Sequence, residues 1–227
     1  MDATVLTRAP VRLRRLGRMG YDEAVSFQQA AAAAVAAGGP ETLFLLEHEP
    51  VFTLGRNATS GDILFTPERC AALGIAVREA DRGGKVTYHG PGQLVGYPIL
   101  NLLPGRRDVK RYVTDLEEVL IRTLSDFGIS GERSAAKERV TSVWVGNEKI
   151  AAIGVHISRW VTTHGFALNV TDEPLNHFAG IVACGITDGG VTTMERLLGR
   201  APAVDEVARR LVPRFAEVFH REIIEAS

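Results

Sequence analysis

The run Arg82-Gly-Gly-Lys-Val-Thr-Tyr-His-Gly-Pro-Gly-Gln-Leu-Val-Gly96 places Gly83, Gly84, Gly90, Gly92 and Gly96 in one short interval. Such density dictates short strands joined by tight turns, because glycine takes up the left-handed and closely packed backbone positions that other residues resist. Ile75–Arg78, Lys85–Tyr88 and Gln93–Leu100 accordingly read as strands. Upstream, the alanine-rich stretch Tyr21–Ala37 reads as a helix stopped by Gly38-Gly39-Pro40. Thr42–Glu47 and Val51–Leu54 are short apolar strands, and Pro67–Leu73 is a short helix carrying Cys70. Val11 to Arg14 alternates as a strand at a sheet edge does.

The second half is patterned more strongly. Tyr112, Leu116, Val119, Leu120, Ile121, Leu124 and Phe127 recur at three- and four-residue spacing, which predicts a helix over Asp108–Phe127 with Asp108 as N-cap and Gly128 at C′. Thr141–Val145 and Lys149–Ile157 flank Gly146-Asn147-Glu148 as a hairpin, with Thr162–Val170 antiparallel to the second strand. Thr192-Thr-Met-Glu195 matches a capping box before a short helix ending at Gly199, and a last helix spans Val204–Ile224, interrupted by Pro213. Consecutive strands with few helices predict an α+β fold, a mixed or antiparallel sheet with helices packed on one face, in a single domain over residues 1–227. The stretch from Gly128 to Arg139 reads as a surface loop.

A chain of 227 residues that is 45% hydrophobic can bury a sizeable core. Its formal net charge of −1 carries neither a nucleic-acid footprint nor a cationic membrane face, and no run of about 18 apolar residues suggests a span. The arginines Arg8, Arg12, Arg14, Arg15 and Arg18 are not followed by the apolar stretch of a signal peptide. Cys70 and Cys184 lie far apart without metal-ligand spacing, which predicts no metal site, no disulfide and a reducing, cytoplasmic setting.

Cys184 sits in the loop Val182-Ala-Cys-Gly-Ile186, where the following glycine lets a carbonyl approach backbone N–H groups closely, as an acyl-transfer nucleophile requires. Cys70, within an apolar helical pattern, reads as an inert buried thiol. A free thiol has a pKa of about 8.5 and needs a neighbouring base or cation to react quickly at neutral pH. Two kinds are available: one of His48, His89, His156, His164, His177 and His220, or Lys149, which opens the small-residue strand Ile150-Ala-Ala-Ile-Gly-Val155. From its position alone Lys149 reads first as a solvent-facing residue closing a hairpin turn. Gly83-Gly84-Lys85 is not a phosphate loop, since Glu79 stands where the first glycine belongs and Val86 where Ser or Thr does. Ala151, Ala152, Gly154, Gly165 and Ala167 could line a slender apolar channel or serve ordinary close packing. The basic cluster Arg106, Arg107, Lys110 and Arg111 is either a solvated helix start or a docking patch for an acidic carrier.

Four stretches, Arg82–Pro98, Lys149–Val155, His164–Asn169 and Cys184-Gly185, together resemble the lipoyl(octanoyl) transferases. That resemblance implies the α+β catalytic fold shared with biotin and lipoate protein ligases. It implies Cys184 as nucleophile, Lys149 as the group that sets its protonation, and an acyl pocket lined by Arg82, Gly83, Gly84, Lys85, Val86, Thr87, Tyr88 and His89, by Ala152, Ile153 and Gly154, and by Gly165, Phe166 and Ala167. Ala183 departs from the proline that many members carry before the cysteine. The implied reaction needs no cofactor. Octanoyl-acyl carrier protein donates, and a lysine on a lipoyl domain of a 2-oxoacid dehydrogenase complex or of the glycine cleavage H protein accepts, with the enzyme a monomer. The alternatives are an ATP-dependent lipoate or biotin ligase and a noncatalytic carrier-binding protein.

Overall fold

The computed structural model describes residues 9–103, 107–133, 141–182 and 190–226. Its strands are β1 (Val11–Met19), β2 (Thr42–His48), β3 (Val51–Leu54), β4 (Ala76–Glu79), β5 (Val86–His89), β6 (Gln93–Ile99), β7 (Glu132–Arg133), β8 (Ser142–Val145), β9 (Glu148–Ser158), β10 (Val161–Asn169), β11 (Gly190–Val191) and β12 (Ile223–Glu225). The helices are α1 (Tyr21–Ala36), α2 (Pro67–Ala72), α3 (Val109–Ser125), α4 (Leu175–Phe178), α5 (Met194–Leu198) and α6 (Val204–Phe219). The larger sheet runs β12-β1-β2-β6-β10-β9-β8-β7 with β11 added beside β9, and a smaller one runs β4-β3-β5. The larger sheet is mixed: β1 is parallel to both β2 and β12, whereas the neighbours from β2 through β7 are antiparallel.

Alternation along β2 shows how the layers are made. Leu43 and Leu45 join α3 and α6 in one core, while Phe44 and Leu46 face α1 in another. Helices therefore cover both faces of the large sheet, not the single face expected, because β2 and β6 are apolar on both sides. The small sheet closes a third cluster around Phe52, Cys70, Ile75, Val86 and Tyr88. Cys70 is 4% exposed there and burial pushes its thiol pKa up, the setting of an inert cysteine.

Local signals explain most boundaries. The Asp108 side chain accepts from the Arg111 backbone N–H to open α3. At its end Gly128 N–H bonds Ser125 O, Ile129 N–H bonds Leu124 O, and Gly128 adopts φ +78, a Schellman closure. Three expectations fail for physical reasons. The α5 cap is Thr193, whose hydroxyl accepts from Arg196 N–H, because Glu195 is drawn away to the Asp172 N–H and cannot complete a box with Thr192. Helix α6 passes through Pro213 instead of being interrupted there, since Leu211, Phe215 and Phe219 hold it against the core, with the two phenylalanine rings stacked at 4.3 Å. It ends at His220, whose φ of +52 turns the chain so that Ile223–Glu225 becomes strand β12 alongside β1. Strand β1 is consequently an interior strand rather than the edge. Buried Arg221 fastens this junction to Glu41 and to the Ala9 carbonyl. Among the described residues no helix is long and apolar enough to cross a membrane.

Candidate active site

A cavity of about 410 Å³ opens between the two sheets. Its floor is the β9–β10 ladder, where Ala152 pairs with Ala167, Ile153 with Phe166 and Gly154 with Gly165. Its roof is the loop Arg82, Gly83, Gly84 and Lys85, continuing into Val86, Thr87 and His89 of β5. The roof is pinned to the floor by Gly83 N–H donating to Val155 O at 3.0 Å. This close approach explains Gly154: a Cβ there would stand 3.0 Å from Arg82 Cδ and 3.2 Å from Gly83 O. Arg82 is 8% exposed, and its guanidinium donates to Thr53 O and Oγ1, both at 2.7 Å, and to Gly83 O. The arginine is thus a strut that ties the loop to β3.

Lys149, the second residue of β9, also lines the cavity and is 8% exposed, with Nζ 5.3 Å from the Trp144 ring centroid. Its carbonyl accepts from Thr192 N–H, and β11 lies beside it in parallel register, Val191 opposite Lys149. The lysine therefore faces the cavity and not solvent. Cys184 and Gly185 lie outside the described residues, as do Ala183 and Arg106. The chain on either side of that loop is anchored. Val182 N–H donates to Asp62 O, and Gly190 is registered against Glu148.

Tyr88 is the one described residue among those expected in the pocket that does not line it. Strand alternation turns Thr87 and His89 towards the cavity and sends Tyr88 into the small core, where its ring meets Phe52, Phe178 and His177. Several lining residues were not expected in the pocket, among them Tyr21, Gln93, Tyr97, Asn169 and His164, the last named only as a candidate base. Gln93, Tyr97, His164 and Asn169 all sit inside the motif stretches, so the signal was present; Tyr21, at the start of α1, has no local mark of its role.

These polar residues are bonded to one another. His89 Nδ1 lies 2.7 Å from Gln93 Oε1, Gln93 Nε2 donates to Asn169 Oδ1 at 2.9 Å, and Asn169 Nδ2 donates to Thr192 O beside Lys149. His48 Nε2 and Tyr97 OH are 2.7 Å apart, and His164 Nε2 is 2.6 Å from Asp81 Oδ1. Burial pushes the pKa of His48 down to about 4 and holds His89 well below the usual histidine range, with the neighbouring His48 adding to the effect. Burial also lowers His164, against the opposing pull of Asp81. These imidazoles are therefore neutral near pH 7, positioned as hydrogen-bonding walls. Among the described residues no group of three or more His, Cys, Asp or Glu is placed to hold a metal ion. The arrangement offers a half-open, largely apolar slot with the amines of Lys149 and Lys85 and the Arg82 guanidinium on its walls, within the size range of small-ligand pockets.

Residues 20–216 match the lipoyl protein ligase A/B catalytic domain family. An octanoyltransferase of Solibacter usitatus is 49% identical over 216 residues, covering 95% of this chain and 96% of that protein. One of Chloroflexus aurantiacus is 50% identical over 211 residues, covering 91% and 93%. Among solved structures, a lipoate-protein ligase A bound with ATP superposes with a TM-score of 0.80 at 17% identity, covering 96% of this chain and 88% of that one. Biotin protein ligase from Aquifex aeolicus, in complex with biotin and ATP, gives 0.57 at 14% identity, over 92% and 70%. These two likenesses show a shared fold, as expected. With relatives this similar along nearly the whole length, the chain belongs to the octanoyltransferase family of lipoyl protein ligase A/B catalytic domains.

Proposed function

We propose that the chain transfers an octanoyl group from octanoyl-acyl carrier protein to a lysine of a lipoyl domain, through a thioester on Cys184. The observation that carries this reading is the placement of Lys149 on the wall of a cavity whose floor is the small-residue ladder of Ala151, Ala152, Gly154, Gly165 and Ala167. In the first half-reaction the Cys184 thiolate attacks the donor thioester carbonyl, the new C–S bond forms, and the carrier leaves as its thiol. Lys149 takes the proton from the Cys184 thiol and delivers it to the departing carrier sulfur. In the second, the acceptor lysine amine attacks the acyl-enzyme, an amide forms, and Cys184 leaves and is reprotonated from the attacking nitrogen by way of Lys149. The oxyanion is held by backbone N–H groups after Cys184 or in the Arg82–Lys85 loop, where Gly83 N–H is already spent on Val155 O. The exchange runs from thioester to thioester to amide and requires no nucleotide.

Intact mass after mixing with octanoyl-acyl carrier protein tests this directly. The wild type should gain one octanoyl group that disappears when a lipoyl domain is added, and Cys184→Ala should gain none. Modification of the lipoyl domain only with ATP and free fatty acid would instead make the protein a ligase. Retention of cellular lipoylation by Cys184→Ala would favour a noncatalytic carrier-binding role.

The acidic carrier is proposed to dock at the start of α3. Arg107, Lys110 and Arg111 are exposed there, and Val113, one turn further along the same helix, lines the cavity. Charge reversal at Arg106, Arg107 and Lys110 should raise the KM for the carrier several-fold and leave the single-turnover rate at saturation unchanged. An unaltered KM would return the cluster to a solvated helix start.

A further inference from the structure

A chain of hydrogen bonds runs from the backbone beside Lys149 to His89, and two backbone carbonyls fix the direction of every bond in it. A carbonyl oxygen only accepts, so Asn169 turns its Nδ2 to Thr192 O at 3.1 Å and Gln93 turns its Nε2 towards Tyr88 O at 3.4 Å. The two anchors agree, since Gln93 Nε2 then donates to Asn169 Oδ1 at 2.9 Å. Gln93 Oε1 is left facing His89 Nδ1 at 2.7 Å, and an oxygen there requires the imidazole to carry its proton on Nδ1. Burial, with His48 beside it, keeps the ring neutral, so Nε2 holds a lone pair.

His89 lines the cavity, is 7% exposed, and its Nε2 bonds to no described residue. The neighbouring imidazoles are committed differently. His48 uses Nδ1 on Met19 O at 3.3 Å and Nε2 on the Tyr97 hydroxyl. His164 directs Nε2 at Asp81 and pairs with Val155, far along the ladder from Lys149. His89 belongs to the Lys149 end: Gln93 is opposite Asn169, and Thr192, which Asn169 holds, donates its N–H to Lys149 O at 2.9 Å.

The charged side chains on the cavity wall, Arg82, Lys85 and Lys149, are all basic, and no carboxylate is among the described lining residues. Like charge disfavours a lysine ammonium there, which favours entry as the neutral amine. An amine that turns its lone pair to a carbonyl points its N–H groups elsewhere, and in a largely apolar slot an unpartnered N–H is costly. We propose that the Nε2 lone pair of His89 accepts an N–H of the acceptor lysine's amine and so aims the nitrogen at the acyl carbonyl, which makes His89 a catalytic residue of the second half-reaction. The proposal rests on the transferase reading above. The acceptor ammonium gives one proton to solvent as it enters. The C–N bond then forms, the C–S bond to Cys184 breaks, a second proton passes by way of Lys149 to the Cys184 sulfur, and the third stays on the amide nitrogen.

His89→Asn retains a donor for Gln93 and has nothing at the Nε2 position, whereas His89→Gln reaches that position with an amide oxygen. Octanoyl-enzyme would be discharged by a lipoyl domain and, separately, by 2-mercaptoethanol, whose attacking thiolate has no N–H to place. The ratio of the amine rate to the thiol rate should fall about tenfold in His89→Asn, the effect of one lost hydrogen bond in a buried site, and by less in His89→Gln. A merely structural role would slow both discharges together, and an unchanged ratio overturns the proposal. Should neither variant fold, two-bond ¹⁵N–¹H spectra of the wild type decide the matter, with the ring assigned from its own backbone. A proton on Nδ1 and a bare Nε2 support the proposal, and a proton on Nε2 refutes it. If the wild type forms no octanoyl-enzyme, the transferase reading fails separately. The same spectra then judge His89: an added lipoyl domain should move its Nε2 signal, and an unmoved signal refutes the proposal.

Discussion

Lys149→Met should slow acyl transfer by about 10²–10⁴-fold, the usual contribution of a positioned proton-transfer group. Methionine keeps a long unbranched stem against Trp144 and fills similar space in a residue only 8% exposed, so the packing of β9 is retained while the ammonium is lost. Single-turnover acylation by octanoyl-acyl carrier protein, followed by mass, gives the rate. Alkylation of Cys184 as a function of pH gives the cause: its thiol pKa should rise in the variant. Cys70 contributes little to that signal, being buried with its thiol pKa raised. Unchanged acylation and alkylation profiles would transfer the role of base to a histidine, and His89 is then the one to replace, since it lines the same cavity.

The largest loss of stability is expected from Gly165→Ala. A Cβ at this position would stand 2.2 Å from Gly96 O and 2.7 Å from Pro98 Cδ, on the neighbouring strand β6. The first clash is with backbone, so no side chain can rotate away; β6 and β10 must separate at the centre of the large sheet. Gly96 sits under the Phe166 ring across the same ladder, so the strain also reaches the floor of the cavity. Overpacking of this kind costs about 3 kcal/mol. Urea denaturation should show the unfolding free energy falling by that amount, as a lower midpoint at unchanged slope, and a loss below about 0.5 kcal/mol would mean the sheet yields far more readily than close packing allows.

What could be read from the residues alone follows from the range of the interactions involved. Helix α3 was legible because its apolar stripe, its Asp108 cap and its Gly128 closure are all local, and the β8–β9 hairpin because two residues make its turn. The three catalytic-domain stretches that could be placed do converge on one cavity, since β5, β9 and β10 bring them there. Tyr88 was misplaced because a contiguous motif was read as a contiguous wall, although alternate residues of a strand face opposite ways. Tyr21 escaped notice for the converse reason, coming from a helix whose place over the cavity is set by contacts distant in sequence. Strand β12 was absorbed into the preceding helix because Ile223 and Ile224 continue its apolar pattern; only the partner strand at the other end of the chain decides otherwise.

That pairing has a bearing on how the protein reaches its folded state. During synthesis β1 emerges early and finds β2 soon after, but its other edge stays open until Ile223–Glu225 leave the ribosome. A long open edge invites pairing with other nascent chains. Arg12, Arg14, Arg15 and Arg18 line this strand, and the ladder with β2 is broken by an irregularity between Arg15 and Gly17. The arginine side chains leave both faces of the strand, Arg14 towards α1 and Arg15 towards α6, so a second copy pairing there would meet like charge on either face, and the irregularity spoils the straight register it would need. In the finished fold the same arginines are tied down, Arg14 over the Phe27 and Phe44 rings, Arg15 to Asp205 and Glu225, and Arg18 to Glu47, so charges that keep a second copy away from the open edge become contacts once the last strand is in place.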